Sequence, residues 1–278
     1  MTIRNLGVFL LGAGSLIAQR LPTTLDELVR RADVVVRARV LGLAPGTDGK
    51  LRVGFLTQEN FVGDAPRTFA LEESDDQGCA RALAGLVPNL GVVLILARDG
   101  ENELALLDGD PNAAWSLEPA LLDRLRTILS PATPSTSLDA ALAALADGSP
   151  RLRLDAAHSL ARSPVLAAMS PTGRDRLDAL LPRLRAEAPA LLEPLGRAVE
   201  RLDDPRLDTR FAVAVAGVGH DREPYLALVD RLLARRSTAS RENLLNALRR
   251  DGVQDLPQSP HDETAPLPRF RAIRPYRR

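Results

Sequence analysis

One cysteine, one lysine and no excess of either charge limit what this chain can do. Cys79 stands alone, so the chain forms neither an internal disulfide nor a multi-cysteine metal site. It reads as a partly buried small residue. Lys50 is the sole lysine. A phosphate-binding-loop lysine or a Schiff-base lysine would have to be this one, and its neighbours Gly49 and Leu51 build neither context. Basic and acidic side chains balance at 36 each, for a formal net charge of zero. Strong nucleic-acid binders carry a basic excess that neutralises phosphates, so nucleic acid is not an expected partner. No His-Glu-x-x-His pair and no Gly-x-Ser-x-Gly elbow occurs.

What is present is length and apolar content. The 278 residues suffice for about two domains, and a 45% hydrophobic share lets each half bury a core. The first residues read as a secretory signal. Arg4 supplies the positive start, and Leu6–Ala18 is a 13-residue apolar stretch, short of the roughly 20 that span a bilayer as a helix. The expected cut follows Ala18, leaving Gln19 as the new N-terminus and 1–18 as the signal. The expected location is periplasmic or secreted.

Residues 22–129 read as a β-rich domain. Thr24, Leu25, Asp26 and Glu27 form a capping box that opens a short helix. Val34, Val36, Ala38 and Val40 then alternate with Arg37 and Arg39, the pattern of a half-buried strand. Leu51, Val53 and Phe55 alternate likewise. Gly63-Asp64-Ala65-Pro66 is turn chemistry, and Gly91 to Ala97 is a continuous apolar run expected of the most buried strand. Glu103 to Leu107 folds back on it after the Asp99-Gly100 turn. Ser116 is the expected N-cap of a closing helix that ends near Leu129. This order, with the phrase at residues 25–40 and the Gly63–Pro66 turn, resembles an N-terminal module of exported bacterial proteins. The resemblance implies a small barrel similar to the oligonucleotide/oligosaccharide-binding fold, as in netrin-like or metalloproteinase-inhibitor domains. The netrin-type disulfides are absent, so no inhibitor role is carried over.

Residues 130–137, rich in proline, serine and threonine, read as a linker. Residues 138–250 read as helices. Leu138, Leu142 and Leu145 form one stripe. Ser149-Pro150, Ser170-Pro171 and Asp204-Pro205 are cap-proline starts. Pro150, Leu152, Arg153, Ala156, Ser159 and Leu160 fill the places of a HEAT-like repeat helix, which this segment resembles. The resemblance implies an α-solenoid fragment or stack of helical hairpins. Residues 251–278 form a tail with Pro257, Pro260, Pro266, Pro268 and Pro275 that ends in Arg271, Arg274, Arg277 and Arg278. A weak contact with an anionic surface is its expected role. The fold class is thus multi-domain α+β, an OB-like β-barrel followed by an all-α HEAT-like stack.

The sequence points to no catalytic, cofactor-binding or metal-ligating residue, and to no cofactor. His158 reads as a helix-surface or interhelix side chain. His220 precedes a helix capped by Asp221, and His261 lies in the tail. Asp108, Asp110 and Asn112 echo a calcium loop, but Ala113 stands where the tight turn needs glycine and Glu118 falls one place early. Glu72, Glu73, Asp75 and Asp76 read as a solvated loop. Trp115 reads as a plug beneath the closing helix, with a stacking platform for glycan as the rival use. The expectation is an exported, non-enzymatic scaffold for an unidentified protein partner. The alternative is a metal-dependent or glycan-binding protein, or an enzyme, using the two acidic loops.

Overall fold

The capping box at Thr24 forms and sets the first described helix. Thr24 Oγ1 accepts the Glu27 N–H, and Glu27 Oε2 accepts the Thr24 N–H at 2.9 Å. Helix α1 (Leu25–Arg31) follows, burying Leu25, Leu28 and Val29. The computed structural model describes residues 23–46, 50–73, 82–100, 103–130, 133–187, 189–216, 229 and 231–232. The signal segment with its cut at Ala18, Cys79, Asp75, Asp76, His220, Asp221, His261 and the 251–278 tail lie outside the described residues.

Six strands form one antiparallel sheet: β1 (Val34–Pro45), β2 (Leu51–Val62), β3 (Thr68–Glu72), β4 (Gly91–Asp99), β5 (Glu103–Leu106) and β6 (Ala114–Ser116). Their order is β3-β2-β1-β4-β5, with β6 also paired to β4. The alternating residues Val34, Val36, Ala38 and Val40 are all fully buried, as their period-two spacing requires. The apolar run in β4 buries Val92 through Leu96, and β4 lies between β1 on one side and β5 and β6 on the other. Phe55 and Phe69 stack across β2 and β3 with centroids 5.3 Å apart.

The sheet is open. Strands β3 and β5 approach within 8 Å at Cα but exchange no ladder, so the expected closure into a barrel is not seen. The chain leaves β5 after Leu106 through two 3-10 turns, where Asp108 takes φ 55° and Pro111 has no N–H to donate. That edge therefore ends after four residues.

Six further α-helices are described from end to end: α2 (Pro119–Leu129), α3 (Pro134–Asp147), α4 (Pro150–Arg162), α5 (Pro171–Glu187), α6 (Leu192–Leu202) and α7 (Pro205–Ala216). Five of the six begin with proline, which lacks only an N–H that the first turn leaves unpaired anyway. Two sequence expectations are corrected here. Ser116 ends β6, and the N-cap of α2 is Glu118 ahead of Pro119. The expected linker is helical from Pro134, because Thr133 caps α3 by accepting the Thr136 N–H. Thr133-Pro134 is the same start signal as Ser149-Pro150.

Helix α4 packs on α3 and α6, and α5 packs on α7. Helices two apart along the chain thus touch, and 3-10 turns at Leu166–Ala168 and Pro189–Leu191 interrupt the helical run. Buried side chains of sheet and helices form one contiguous apolar cluster from Leu25 to Leu232. No described helix is long and apolar enough to cross a membrane.

Candidate functional site: the seam between sheet and helices

Helix α4 carries two faces. Leu152, Ala156 and Leu160 point into the core. Arg151, Asp155, Ser159 and Arg162 recur at spacings of three and four, so they share another face. That face meets α1, α2 and the turn before β6, and every one of its four side chains reaches across.

Asp155 is the centre. Its Oδ1 accepts the Leu25 N–H at 2.7 Å, one of the amides at the start of α1 that has no partner within its own helix. Its Oδ2 lies 3.2 Å from Arg124 Nη2. Arg124, on α2, is only 2% exposed. The same Nη2 donates to Asp26 Oδ2 and, at 2.6 Å, to Ser159 Oγ, and Ser159 in turn donates to Asp26 Oδ2 at 2.7 Å. Burial pushes the Asp155 carboxyl up to about 6, against the opposing pull of the Arg124 charge and the Leu25 N–H. One turn on, Arg162 Nη1 donates to both carboxylate oxygens of Glu27, at 2.9 and 3.2 Å. Glu27 thus completes the capping box and pins α4 with one group.

The other end of α4 is fastened twice. Glu118, ahead of α2, accepts the Ser149 N–H at 2.9 Å and its Oγ–H at 2.7 Å. Arg151 sits over the Trp115 ring and donates to the carbonyls of Ala114 and Pro111.

Two hollows flank the seam. A cleft of about 210 Å³ opens among Asp26, Glu27, Arg30, Ser159, Arg162 and Val165. A pocket of about 50 Å³ lies between Trp115, Arg151, Asp155 and His158. Burial, then the neighbouring Arg162 charge, lowers the His158 pKa. A raised acid beside a lowered base is a pairing that enzymes use. At about 50 Å³ this pocket is smaller than the roughly 300–1,000 Å³ that small-molecule sites occupy. The larger cleft has charged walls and the exposed apolar side chains of Pro164 and Val165.

The residues singled out from sequence fall as follows. Asp108 pairs with Arg31 at the surface. Asp110 accepts the Asn112 N–H at 2.7 Å, and Asn112 Nδ2 donates to the Thr23 carbonyl. These are the hydrogen bonds of a polar turn. Glu73 accepts the Leu51 N–H. No cluster of three or more metal-ligating side chains occurs among the described residues. Trp115 is 2% exposed and its Nε1 donates to the Asn112 carbonyl, so it does not offer a glycan-stacking face. Reading the sequence missed Asp26, Arg124 and Asp155, the residues that the fold brings together. The available signal was the polar stripe on α4.

No family model, no curated protein and no solved structure matches the chain.

Proposed function

We propose that this protein is an exported, non-enzymatic scaffold that holds a protein partner at the cleft beside the α1–α4 seam. The observation that carries the reading is the fastening of α4 at both ends. Glu118, Arg124, Asp26 and Glu27, all from the sheet-bearing part, grip Ser149, Asp155, Ser159 and Arg162. Sheet and helices so joined present one rigid surface, and a preformed surface binds without the cost of ordering it. The cleft walls, Arg30, Glu27, Arg162 and Val165, combine charge with an apolar contact, as protein-contact surfaces do. In this reading the sheet part is a relative of OB-like modules, and the helices are a HEAT-like fragment that extends the surface. The Leu6–Ala18 stretch directs export, and the arginines at 271–278 give a second, weak hold on an anionic surface.

The test is site-specific photo-crosslinking in a Gram-negative host. A crosslinking residue is placed at Arg30 or Val165 in the cleft, and at Gln58 or Glu59 on β2 as controls. The reading expects one crosslinked band from the cleft positions only, in the periplasmic fraction, on a protein whose mass begins at Gln19. Equal or absent crosslinking at both sets would overturn the scaffold role. A full-length cytoplasmic product would overturn export.

A further inference from the structure

The acids of the cleft beside the α1–α4 seam are committed, while some of its cations are not. Asp26 accepts from Arg124 and Ser159, and Glu27 accepts from Arg162 and the Thr24 N–H. Asp155, next to them, shares Arg124. Arg30, on α1, lines the cleft, is exposed and has no acceptor among the described residues. Arg201, on α6, donates to the carbonyls of Ala161 and of Ser163, a cleft residue, and meets no carboxylate among the described residues. Arg162 holds Glu27 through Nη1, while its Nη2 is buried without an acceptor among the described residues. The cleft therefore has cations and donors to spare and no spare acid. Beside them its surface is apolar: Pro164 and Val165 are exposed, and Leu138 and Ala141 line it from α3.

We propose that this cleft recognises an acidic peptide: Arg30 pairs with a carboxylate side chain of the partner, and an apolar neighbour of that side chain packs on Pro164 and Val165. The proposal rests on the reading of the cleft as a protein-contact site and adds the chemistry of the partner. A carboxylate suits a free guanidinium, which holds both of its oxygens with two parallel hydrogen bonds. The surplus charges of Arg162 and Arg201 favour an anion at the same place. Asp26 and Glu27 limit how much negative charge the partner brings. They repel a doubly charged phosphate about twice as strongly as a carboxylate. At about 210 Å³ the cleft is smaller than the roughly 300–1,000 Å³ of small-molecule sites, and it takes side chains of a partner rather than a whole small molecule.

Selection from a bead library of short random peptides, capped at both ends and offered to the full chain, tests the proposal. Capping leaves side-chain carboxylates as the only acids. The expected result is enrichment of Asp or Glu next to an apolar residue. Arg30→Glu then reverses the charge of a side chain that has no hydrogen bond to lose. Arg67→Glu makes the same change of net charge at an exposed residue outside the cleft. A selected peptide should bind Arg30→Glu about tenfold more weakly or worse, and Arg67→Glu as tightly as wild type. Val165→Asp, which puts a negative charge on the apolar side, should weaken it too. No acidic enrichment, equal binding to wild type and Arg30→Glu, or tighter binding of the same peptide with phosphoserine in place of its acid would overturn the proposal. Photo-crosslinking from Val165 in the cell separates this failure from that of the scaffold reading. A crosslinked partner without a selected acidic peptide removes the acidic ligand alone, and neither crosslink nor peptide removes both.

Discussion

The guanidinium carbon of Arg151 sits over the ring of Trp115, 4.1 Å from its centroid. From there Nη1 reaches the Ala114 carbonyl at 2.8 Å and Nη2 the Pro111 carbonyl at 2.6 Å. One side chain at the start of α4 thus closes over the aromatic ring and satisfies the backbone of the sheet's last turn. Arg151→Ala removes the cation–π contact, these two hydrogen bonds and a third from Nη2 to Asn112 Oδ1. Because the residue is partly solvated, the expected loss is about 1–2 kcal/mol. Trp115 is the sole tryptophan, so its emission reports this contact directly. The expected result is a red shift with a lower urea midpoint. Arg151→Lys keeps the charge but not the fork, and should recover less than half of the loss. Unchanged emission in Arg151→Ala would show that the stacking does not persist in solution.

Arg124 is the cation of a buried cluster, and removing a buried charge partner costs more than the pair is worth. Arg124→Met leaves Asp26 and Asp155 facing each other without it. The expected destabilisation is about 3–5 kcal/mol. Asp26→Asn should cost less, since Ser159 still donates to it. A double-mutant cycle between Arg124→Met and Asp26→Asn measures their coupling, which should exceed about 1 kcal/mol. Additive losses would mean that the two residues act separately.

The strands and most of the helix starts were legible because their signals are local. Val34, Val36, Ala38 and Val40 alternate within seven residues, and Ser149-Pro150 announces a helix in two. The same local grammar misled at Thr133-Pro134, where a run of serine, threonine and proline looks like a linker until one asks which threonine caps. Closure of the sheet depended on whether β3 and β5 would pair, which neither strand's own residues specify. The seam was not legible for a further reason. Asp155 bonds to an amide 130 positions away, and Arg124 to a carboxylate 98 away. Taken one at a time, Asp26, Arg124 and Asp155 look like solvated helix charges. A polar stripe facing another element has the same period as one facing water. Only the packing of α4 against α1 and α2 tells the two apart.

Gly63 is required by a close approach as well as by its backbone angle. Its φ is +58°, and a Cβ there would lie 2.3 Å from the Asp33 carbonyl oxygen. Gly100 shares the positive φ, at +73°, yet a Cβ there would meet nothing within 4 Å. Gly100→Ala should therefore cost about 1 kcal/mol, the left-handed penalty alone. Gly63→Ala adds a backbone collision and should cost at least twice that. Thermal unfolding of the two variants side by side makes the comparison. Equal shifts would mean that the turn before β3 adjusts without resistance.

Glu27 and Asp155 lie on the same seam and should respond to pH with opposite signs. Burial pushes the Glu27 carboxyl up, but the Thr24 N–H and the Arg162 guanidinium more than reverse this, leaving it below its ordinary value. A lowered pKa in the fold contributes stability that is present above the ordinary glutamate value of about 4.3 and is lost as pH falls from there through the lowered value. Glu27→Gln keeps an acceptor for Thr24 while abolishing the charge that Arg162 needs. It should unfold at lower urea than wild type at pH 7, with the gap narrowing as pH falls toward 3 and wild type takes up its proton. Arg162→Gln should produce the same pH-dependent gap, and the double variant should be no worse than the more damaging single one. If Glu27→Gln is equally destabilised at pH 7 and pH 3, its contribution comes from the cap alone. The Arg162 pair then adds nothing to the fastening of α4.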